Sequence, residues 1–278
     1  MSAVVTDSTC QLTAEQAARS GIAVVPRLVR IEDAEFAAGV DLAVEAFYGR
    51  LTPGVSVATA SPAPGAFVEC DRSLVARGAP EIVSVHLSDG ASGTLDSARL
   101  AARSVDVPVH LVDSRMTSYG LGVVALALAD LVRRTGSISG VDALTESLVP
   151  RIGTVFILKD LRYVLRGGRM RQPELPSGSD DIPILGGVGG GYELIGTGRT
   201  ISELVEAMSA FLLAGDQRRH VAIALAAPDT LEFTERLEDR MRGSDKVESL
   251  HRYRMGPSIA VHTGPGTAGG FWWPSETV

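Results

Sequence analysis

Short apolar runs alternate with polar loops and helix-like segments through the first half of the chain. The runs have the length of strands, and the segments behind them carry apolar residues at helical spacing. The strands predicted from these runs are residues 3–5, 24–31, 82–87 and 107–112. The predicted helices are residues 14–20, 42–51, 65–76 and 121–134, and residues 55–64 are predicted as a loop. This alternation predicts an α/β domain with a parallel sheet and helices on both faces.

The pattern changes after Pro150, where strands follow one another with fewer helices between them. Residues 182–185 and 192–195 flank the glycine run 186–191, which predicts a hairpin-like turn. The other predicted strands are residues 154–158, 221–226, 247–253 and 258–262, and the predicted helices are residues 160–165, 201–214 and 230–242. We therefore predict two domains: residues 1–150, and residues 151–278 as an α+β domain with a mixed sheet that ends in a His-Thr-Gly-Pro-Gly turn.

Composition and charge exclude several classes of function. The 278 residues are 45% hydrophobic, which supports a sizeable core, and the net charge of −7 argues against binding to a nucleic acid backbone. The start has no basic segment before an apolar run, and residues 121–132 are too short to span a bilayer, so we expect neither a signal peptide nor membrane insertion. Cys10 and Cys70 lack metal-ligand spacing and are typical of reduced thiols in a cytoplasmic protein. The glycine run 186–191 has neither the dinucleotide spacing nor a P-loop lysine.

Four loops rich in Ser, Thr and Asp point to an anion site. These loops are residues 6–8, 59–61, 88–94 and 113–114. Because the carboxyl ends of parallel strands share one edge of a sheet, where ligands bind, we expect these loops to lie close together. Ser92 is predicted to cap the helix that follows it, whose free N–H groups and dipole favour an anion. The alternative is an ordinary strand-to-helix turn with a serine cap.

Ser92 and His262 also raise the question of a serine hydrolase, because their order along the chain fits that fold. However, residues 90–94 lack the last glycine of a nucleophile elbow, and no Asp stands out as the orienting acid. A lone histidine such as His262 is more often structural, but His262 precedes a Thr-Gly-Pro-Gly turn that would fix its position at a sheet edge, which favours a functional role. Arg166 and Arg169 flank a glycine pair, either as solvated charges or as arginines placed near an anion or a docking surface.

Six short motifs, spread over nearly the whole chain, occur in a fixed order. They are Thr6-Asp7-Ser8-Thr9, residues 59–62, residues 92–98, residues 112–122, residues 161–170 and residues 262–266. Together these motifs resemble the DegV family, the fatty-acid-binding proteins that serve as the FakB subunit of bacterial fatty acid kinase. The absence of nucleotide motifs agrees with that family, whose ATP site is on the kinase.

The resemblance implies a long-chain fatty acid in a buried tunnel, with its carboxylate between the two domains. Carried over by position, Thr59, Ser92 and His262 would hold the carboxylate, the N–H of Gly93 would assist, and Arg169 would lie near the site or at the kinase docking surface. It also implies a partner, a FakA-like ATP-dependent kinase that converts the bound carboxylate to an acyl phosphate. On this interpretation the chain is a cytoplasmic lipid carrier without catalytic residues, metal or cofactor, and the bound fatty acid is its ligand.

The chain departs from the family at Ala60 and Ser61, where the family has Ser and Gln, and at Arg166, where a Lys is common. A carboxylate buried with its acyl chain needs several donors to offset the loss of water, and hydroxyls, a helix N-terminus and a histidine meet that need. Two other functions stay open at this stage. One is a serine hydrolase using Ser92 and His262, and the other is a regulatory binding module for another small anionic ligand.

Overall fold

The computed structural model describes residues 1–52, 54–167 and 180–275. The chain divides into two units. The first unit combines Met1–Ala43 with Ser56–Pro150, and the second combines Val44–Val55 with Arg151–Thr277. The segment Val44–Val55 therefore groups with the second unit, although it lies inside residues 1–150 of the sequence.

The helices and strands are labelled in chain order within these described ranges. The strands are β1 Ala3–Asp7, β2 Ile22–Val25, β3 Leu28–Ile31, β4 Ala34–Ala37, β5 Val57–Ala60, β6 Ile82–His86, β7 Val109–Asp113, β8 Gly153–Ile157, β9 Ile182–Val188, β10 Glu193–Gly198, β11 Arg219–Leu225, β12 Val247–Arg254 and β13 Ala268–Pro274. The helices are α1 Ala14–Ser20, α2 Val44–Arg50, α3 Pro64–Ala76, α4 Thr94–Ala102, α5 Tyr119–Thr135, α6 Val141–Leu148, α7 Leu161–Gly167, α8 Ile201–Leu212, α9 Leu231–Arg242 and α10 Pro257–Thr263. Among the described residues, no helix combines the length and apolarity needed to cross a membrane.

A four-stranded parallel sheet in the order β2-β1-β6-β7 forms the centre of the first unit. Alternate residues of each strand point to opposite faces, so Val5 and Ile82 pack with Phe67 of α3 and Ala98 of α4 on one face. The nearly all-buried helix α5 contacts β1 and β6. The α/β class with a parallel sheet, predicted from the alternation of strands and helices, is confirmed.

A second, three-stranded antiparallel sheet in the order β4-β3-β5 was not predicted. The single strand predicted over residues 24–31 is interrupted at Pro26, which has no N–H to donate, so β2 and β3 join different sheets. The predicted loop over residues 55–64 contains β5, in which Thr59 lies opposite Val29 of β3. This pairing joins residues about thirty positions apart, so nothing local in the loop's composition indicated it.

The second unit contains a six-stranded mixed sheet in the order β10-β9-β8-β13-β11-β12, which confirms the predicted mixed sheet. Helices α8 and α9 bury Met208, Leu237 and other apolar residues against it. The central strand β13 was missed, because its Gly269 and Gly270 break the apolar pattern. Gly269 is required there, since an added Cβ would lie 2.7 Å from the Cβ of Phe156 on β8.

The strand predicted over residues 258–262 is wrong, because this segment is the helix α10. A short apolar run does not distinguish a buried strand from a short helix. Pro257 occupies the first helical turn, where its missing N–H costs nothing, and Gly264 ends the helix with a φ of +82°. An added Cβ at Gly264 would lie 2.7 Å from the ring of Tyr163 on α7, so only glycine fits this turn.

Candidate functional site

The side chain of Arg27 connects three hydroxyl groups near the carboxyl ends of the parallel strands in the first unit. Arg27 lies between β2 and β3 and is only 3% exposed. Its Nη1 donates to the Oγ of Ser92 at 3.0 Å and to the Oγ1 of Thr94 at 3.4 Å, and its Nη2 donates to the Oγ1 of Thr59 at 3.5 Å. The backbone N–H of Arg27 donates to the Oγ of Ser8 at 3.0 Å. The buried guanidinium therefore joins strand β5 to the segment after β6, and the backbone N–H of the same residue reaches the segment after β1.

Ser92 does not cap the following helix, contrary to the prediction. It is extended, with φ −165° and ψ 143°, and Gly93 is the N-cap of α4. Its Oγ lies 3.0 Å from the Oγ of Ser61 and 2.9 Å from the Oγ1 of Thr94, in addition to its bond from Arg27. The Ser92 hydroxyl therefore interacts with other side chains, whereas a capping serine would accept a hydrogen bond from a backbone N–H of the helix.

The surroundings of Ser92 bear on the hydrolase hypothesis. In the described part of the chain, the hydrogen-bond partners of its side chain are Arg27, Ser61 and Thr94. None of these side chains is a general base, and an adjacent cation donates into the hydroxyl oxygen that would have to attack. This arrangement suits a group that binds an anion better than one that acts as a nucleophile.

A buried Asp–His–Ser chain lies beneath the same sheet edge. The Nδ1 of His86 lies 3.1 Å from the Oδ2 of Asp7, and its Nε2 lies 2.8 Å from the Oγ of Ser84. Asp7 also accepts hydrogen bonds from the backbone N–H groups of Thr9 at 3.0 Å and Leu87 at 3.3 Å. Asp7, Ser84 and His86 are at most 1% exposed, so no substrate reaches them. These hydrogen bonds among Asp7, His86 and Ser84 fix the ends of β1 and β6. Ser8 and the loop that carries Ser92 follow directly from those strand ends.

Asp71 on α3 is buried against this chain, at 2% exposure, and its charge interacts with that of His86. Burial raises the pKa of Asp71 from 3.8 to about 6, and the nearby His86 only partly offsets this rise. Within the described residues its Oδ1 has no hydrogen-bond partner. The folded chain therefore binds a proton at Asp71 that the unfolded chain releases between pH 4 and pH 6.

We expect Asp71→Asn to become increasingly stabilising, relative to the original chain, as the pH rises from 4 to 7.5. The raised pKa means that Asp71 loses its contribution to stability as the pH rises through about 6, and an uncharged amide does not. The free energy of unfolding of the variant minus that of the original chain should increase by about 2 kcal/mol between pH 4 and pH 7.5. Urea denaturation at several pH values measures it. Glu69→Gln, on the exposed side of the same helix, is the control. If its stability relative to the original chain changed equally with pH, the raised pKa assigned to Asp71 would be contradicted.

In the second unit, helix α7 and the turn at residues 262–266 lie against each other. The ring of Tyr163 packs on Gly264, and an added Cβ at Gly266 would lie 2.8 Å from the Cβ of Lys159. His262 lies near the C-terminal end of α10 and is partly buried. Arg169 lies outside the described residues. Close glycine contacts thus bring the described part of one sequence motif, residues 161–167, against the other at residues 262–266.

Sequence reasoning placed Thr59, Ser92 and Gly93 in loops of one edge, and the structure brings all three close to Arg27 and Ser61. An added Cβ at Gly93 would lie 3.9 Å from the Oγ of Ser61. Arg27 itself was missed, although an arginine inside the apolar run of residues 24–31 is the signal that could have indicated it. That the cluster binds a carboxylate stays a prediction. In the described part of the chain, no three His, Cys, Asp or Glu side chains could hold a metal ion.

Comparisons with known proteins give one consistent family. A family model described as "Uncharacterised protein, DegV family" matches residues 1–275. A DegV domain-containing protein of Streptomyces coelicolor is 34% identical over 273 residues, which cover 96% of both chains. A DegV domain-containing protein of Staphylococcus aureus is 29% identical over 271 residues, again with 96% of both chains covered.

Two solved structures share the fold over almost the entire chain. A DegV family protein from Thermus thermophilus, described by its fatty acid binding, has a TM-score of 0.88 at 27% identity, with 98% of this chain and 99% of that chain covered. A stearic-acid-binding protein from Eubacterium ventriosum has a TM-score of 0.87 at 22% identity, with both chains fully covered. The second likeness, at that identity, concerns the fold alone.

Proposed function

The chain belongs to the DegV family, and on that premise we propose that it binds a long-chain fatty acid and presents its carboxylate to an ATP-dependent kinase. The observation that carries the proposal is the full-length likeness to the Thermus thermophilus protein, which binds fatty acid. The hydroxyl cluster around Ser92 supports it, because that cluster supplies the polar end that such a ligand needs.

The proposed ligand-binding residues are Thr59, Ser92, Gly93 and His262. Thr59 and Ser92 carry hydroxyls that lie within 3.5 Å of the same guanidinium, so one carboxylate could meet both. Gly93 is the N-cap of the nine-residue helix α4, where the N–H groups of the first turn favour an anion. His262 is the fourth proposed residue and would supply a further donor.

The energetics of the proposal divide between the two ends of the ligand. Each buried methylene of an acyl chain contributes about 0.8 kcal/mol, so a sixteen-carbon acid gains on the order of 10 kcal/mol before entropic losses. The carboxylate, in contrast, loses its water and must recover several charge-assisted hydrogen bonds. Binding strength would thus come from the chain, and its orientation from the hydroxyl cluster.

The proposed role in phosphoryl transfer is to leave one carboxylate oxygen open. That oxygen would attack the γ-phosphorus of ATP on a FakA-like kinase, a new O–P bond would form, and ADP would leave, giving an acyl phosphate. Arg169 would contribute to the contact with the kinase, and the ATP supply places this step in the cytoplasm. Positioning and charge neutralisation are the means by which a binding protein assists such a transfer.

We expect the chain purified from cells to carry a fatty acid, which native mass spectrometry and lipid extraction would detect.

Ser92→Ala and His262→Ala should each lower acyl-phosphate formation with added kinase and ATP by about tenfold, the effect of one lost charge-assisted hydrogen bond. The fold, followed by circular dichroism, should change little. Ser73→Ala, on an exposed part of α3, is the control for Ser92→Ala. A chain that carries no lipid and binds neither palmitate nor oleate would refute the proposal.

A further inference from the structure

Arg27 places a fixed positive charge at the polar end of the proposed ligand site. Its guanidinium donates at 3.0 Å to Ser92 and at 3.5 Å to Thr59, two of the hydroxyls proposed to hold the carboxylate. A carboxylate hydrogen-bonded to both hydroxyls would lie within a few ångströms of the guanidinium. At that distance, and away from bulk water, the attraction between opposite charges is large compared with thermal energy.

The position of Arg27 is fixed by the backbone on both sides. Its N–H donates to Ser8, and its C=O accepts from the N–H of Ala38 at 2.9 Å. The side chain is buried, so solvent screens its charge little. A buried arginine stays protonated in any physiological medium, and its planar fork of donors matches carboxylate and phosphate oxygens. The charge is therefore a permanent part of this sheet edge.

We propose that Arg27 determines the headgroup specificity of the site: it selects lipids with an ionised headgroup and holds an acyl phosphate more tightly than the fatty acid. This inference rests on the proposed function, since it concerns the same ligand site. Hydroxyls and backbone N–H groups alone bind neutral alcohols and esters as well as acids, because they donate to any oxygen. A fixed cation distinguishes these headgroups by charge, and a phosphate carries more negative charge than a carboxylate.

The specificity ratio of the delipidated full-length chain tests this role. Palmitate, hexadecyl phosphate and hexadecanol share one chain length and differ in headgroup charge, and competition in native mass spectrometry ranks their affinities. The original chain should prefer palmitate to hexadecanol by at least about thirtyfold, and hexadecyl phosphate to palmitate. Arg27→Met should lose most of this preference while binding hexadecanol within about threefold of the original chain.

Two further variants separate specificity from structure. Arg27→Lys keeps the charge and should retain most of the preference for anions, and Arg30→Met removes the exposed arginine three residues along and should retain all of it. If Arg27→Met does not fold, Arg27→Gln, which retains hydrogen bonding without charge, takes its place. A variant without the charge at position 27 that keeps the original ratios would overturn the inference. If the original chain bound none of the three lipids, the proposed function itself would fail first.

Discussion

Replacing Arg219 with methionine should lower the free energy of unfolding by about 3–5 kcal/mol, the cost of losing several hydrogen bonds from a charged donor to backbone carbonyls. Arg219 is fully buried at the start of β11. Its Nη1 donates to the carbonyl of Leu212 at 2.7 Å, and its Nη2 donates to those of Ala214 at 2.6 Å and Gln217 at 3.2 Å. Its guanidinium also lies 4.6 Å from the ring centre of Trp272.

The reason for the large effect is what methionine leaves behind. Helix α8 ends at Leu212, and the last carbonyls of a helix have no partner within the helix. Arg219 donates to one of these carbonyls, that of Leu212, and places a positive charge at the negative end of the helix dipole. Burial lowers the pKa of Arg219 from its usual value, which shows that the charge is held against a desolvation cost. A methionine fills the space but removes the donor from the buried carbonyl of Leu212 and from the part-buried carbonyls of Ala214 and Gln217.

Tryptophan fluorescence in a urea titration measures this loss. The two tryptophans of the chain, Trp272 and Trp273, both lie in β13, so the signal reports on the second unit. Arg218→Met is the control, because Arg218 is 65% exposed and its Nε lies 3.7 Å from Glu248, an arrangement worth at most about 1 kcal/mol. Similar losses for the two variants would show that the buried carbonyl contacts of Arg219 contribute little.

The architecture that local patterns encode was predictable from the sequence. The capping box at Thr13 and Gln16 marks the start of α1, and both reciprocal hydrogen bonds are present in the structure. The parallel strands of the first unit were recognised because apolar runs and helical spacing alternate. Pairing between distant segments was not predictable in the same way. Strand β13, with two glycines, is a strand because β8 and β11 flank it.

The candidate site also combines features that the sequence pattern predicts with contacts between distant segments that it does not predict. Ser92 and Thr94 were predicted because parallel strands bring their carboxyl ends to one edge, so a position in the chain implies a position in space. Thr59 reaches the same cluster from β5, a strand of the antiparallel sheet, which that argument did not predict. Arg27 was not predicted, because its contribution depends on a side chain that reaches from the start of β3 to the loop after β6. Side-chain reach across two sheets leaves no periodic signal. The buried His86, within an apolar strand, gave a weak signal of the same kind.

Asp7→Ala should destabilise the first unit by about 3–5 kcal/mol at pH 7. Asp7 accepts hydrogen bonds from Thr9, Leu87 and His86, and all of these contacts are closed to solvent. Alanine would leave two buried backbone N–H groups and an imidazole nitrogen without their acceptor. Urea denaturation followed by far-UV circular dichroism measures the loss, and hydrogen exchange of the amides in β1 and β6 locates it.

Asp113→Ala is the matched control, since Asp113 ends the neighbouring strand β7 and also accepts two backbone hydrogen bonds, from Arg115 at 2.8 Å and Asp89 at 3.3 Å. These bonds are more accessible to water, so their loss should cost about 1 kcal/mol. A loss at Asp7 no larger than at Asp113 would contradict the role given to burial.

The pH dependence of the Asp7→Ala effect distinguishes a charged acceptor from a neutral one. Burial alone would raise the pKa of Asp7, but the hydrogen bond and charge of His86, with the N–H of Thr9 and the charge of Arg27, hold it below its usual value of 3.8. The stabilisation by Asp7 is therefore present above that pH and is lost as the pH falls below it. The difference between the original chain and the variant should narrow in acid, because the original chain loses its carboxylate there. A difference that stays constant from pH 7 to pH 3 would mean that Asp7 stabilises the strand ends without its charge.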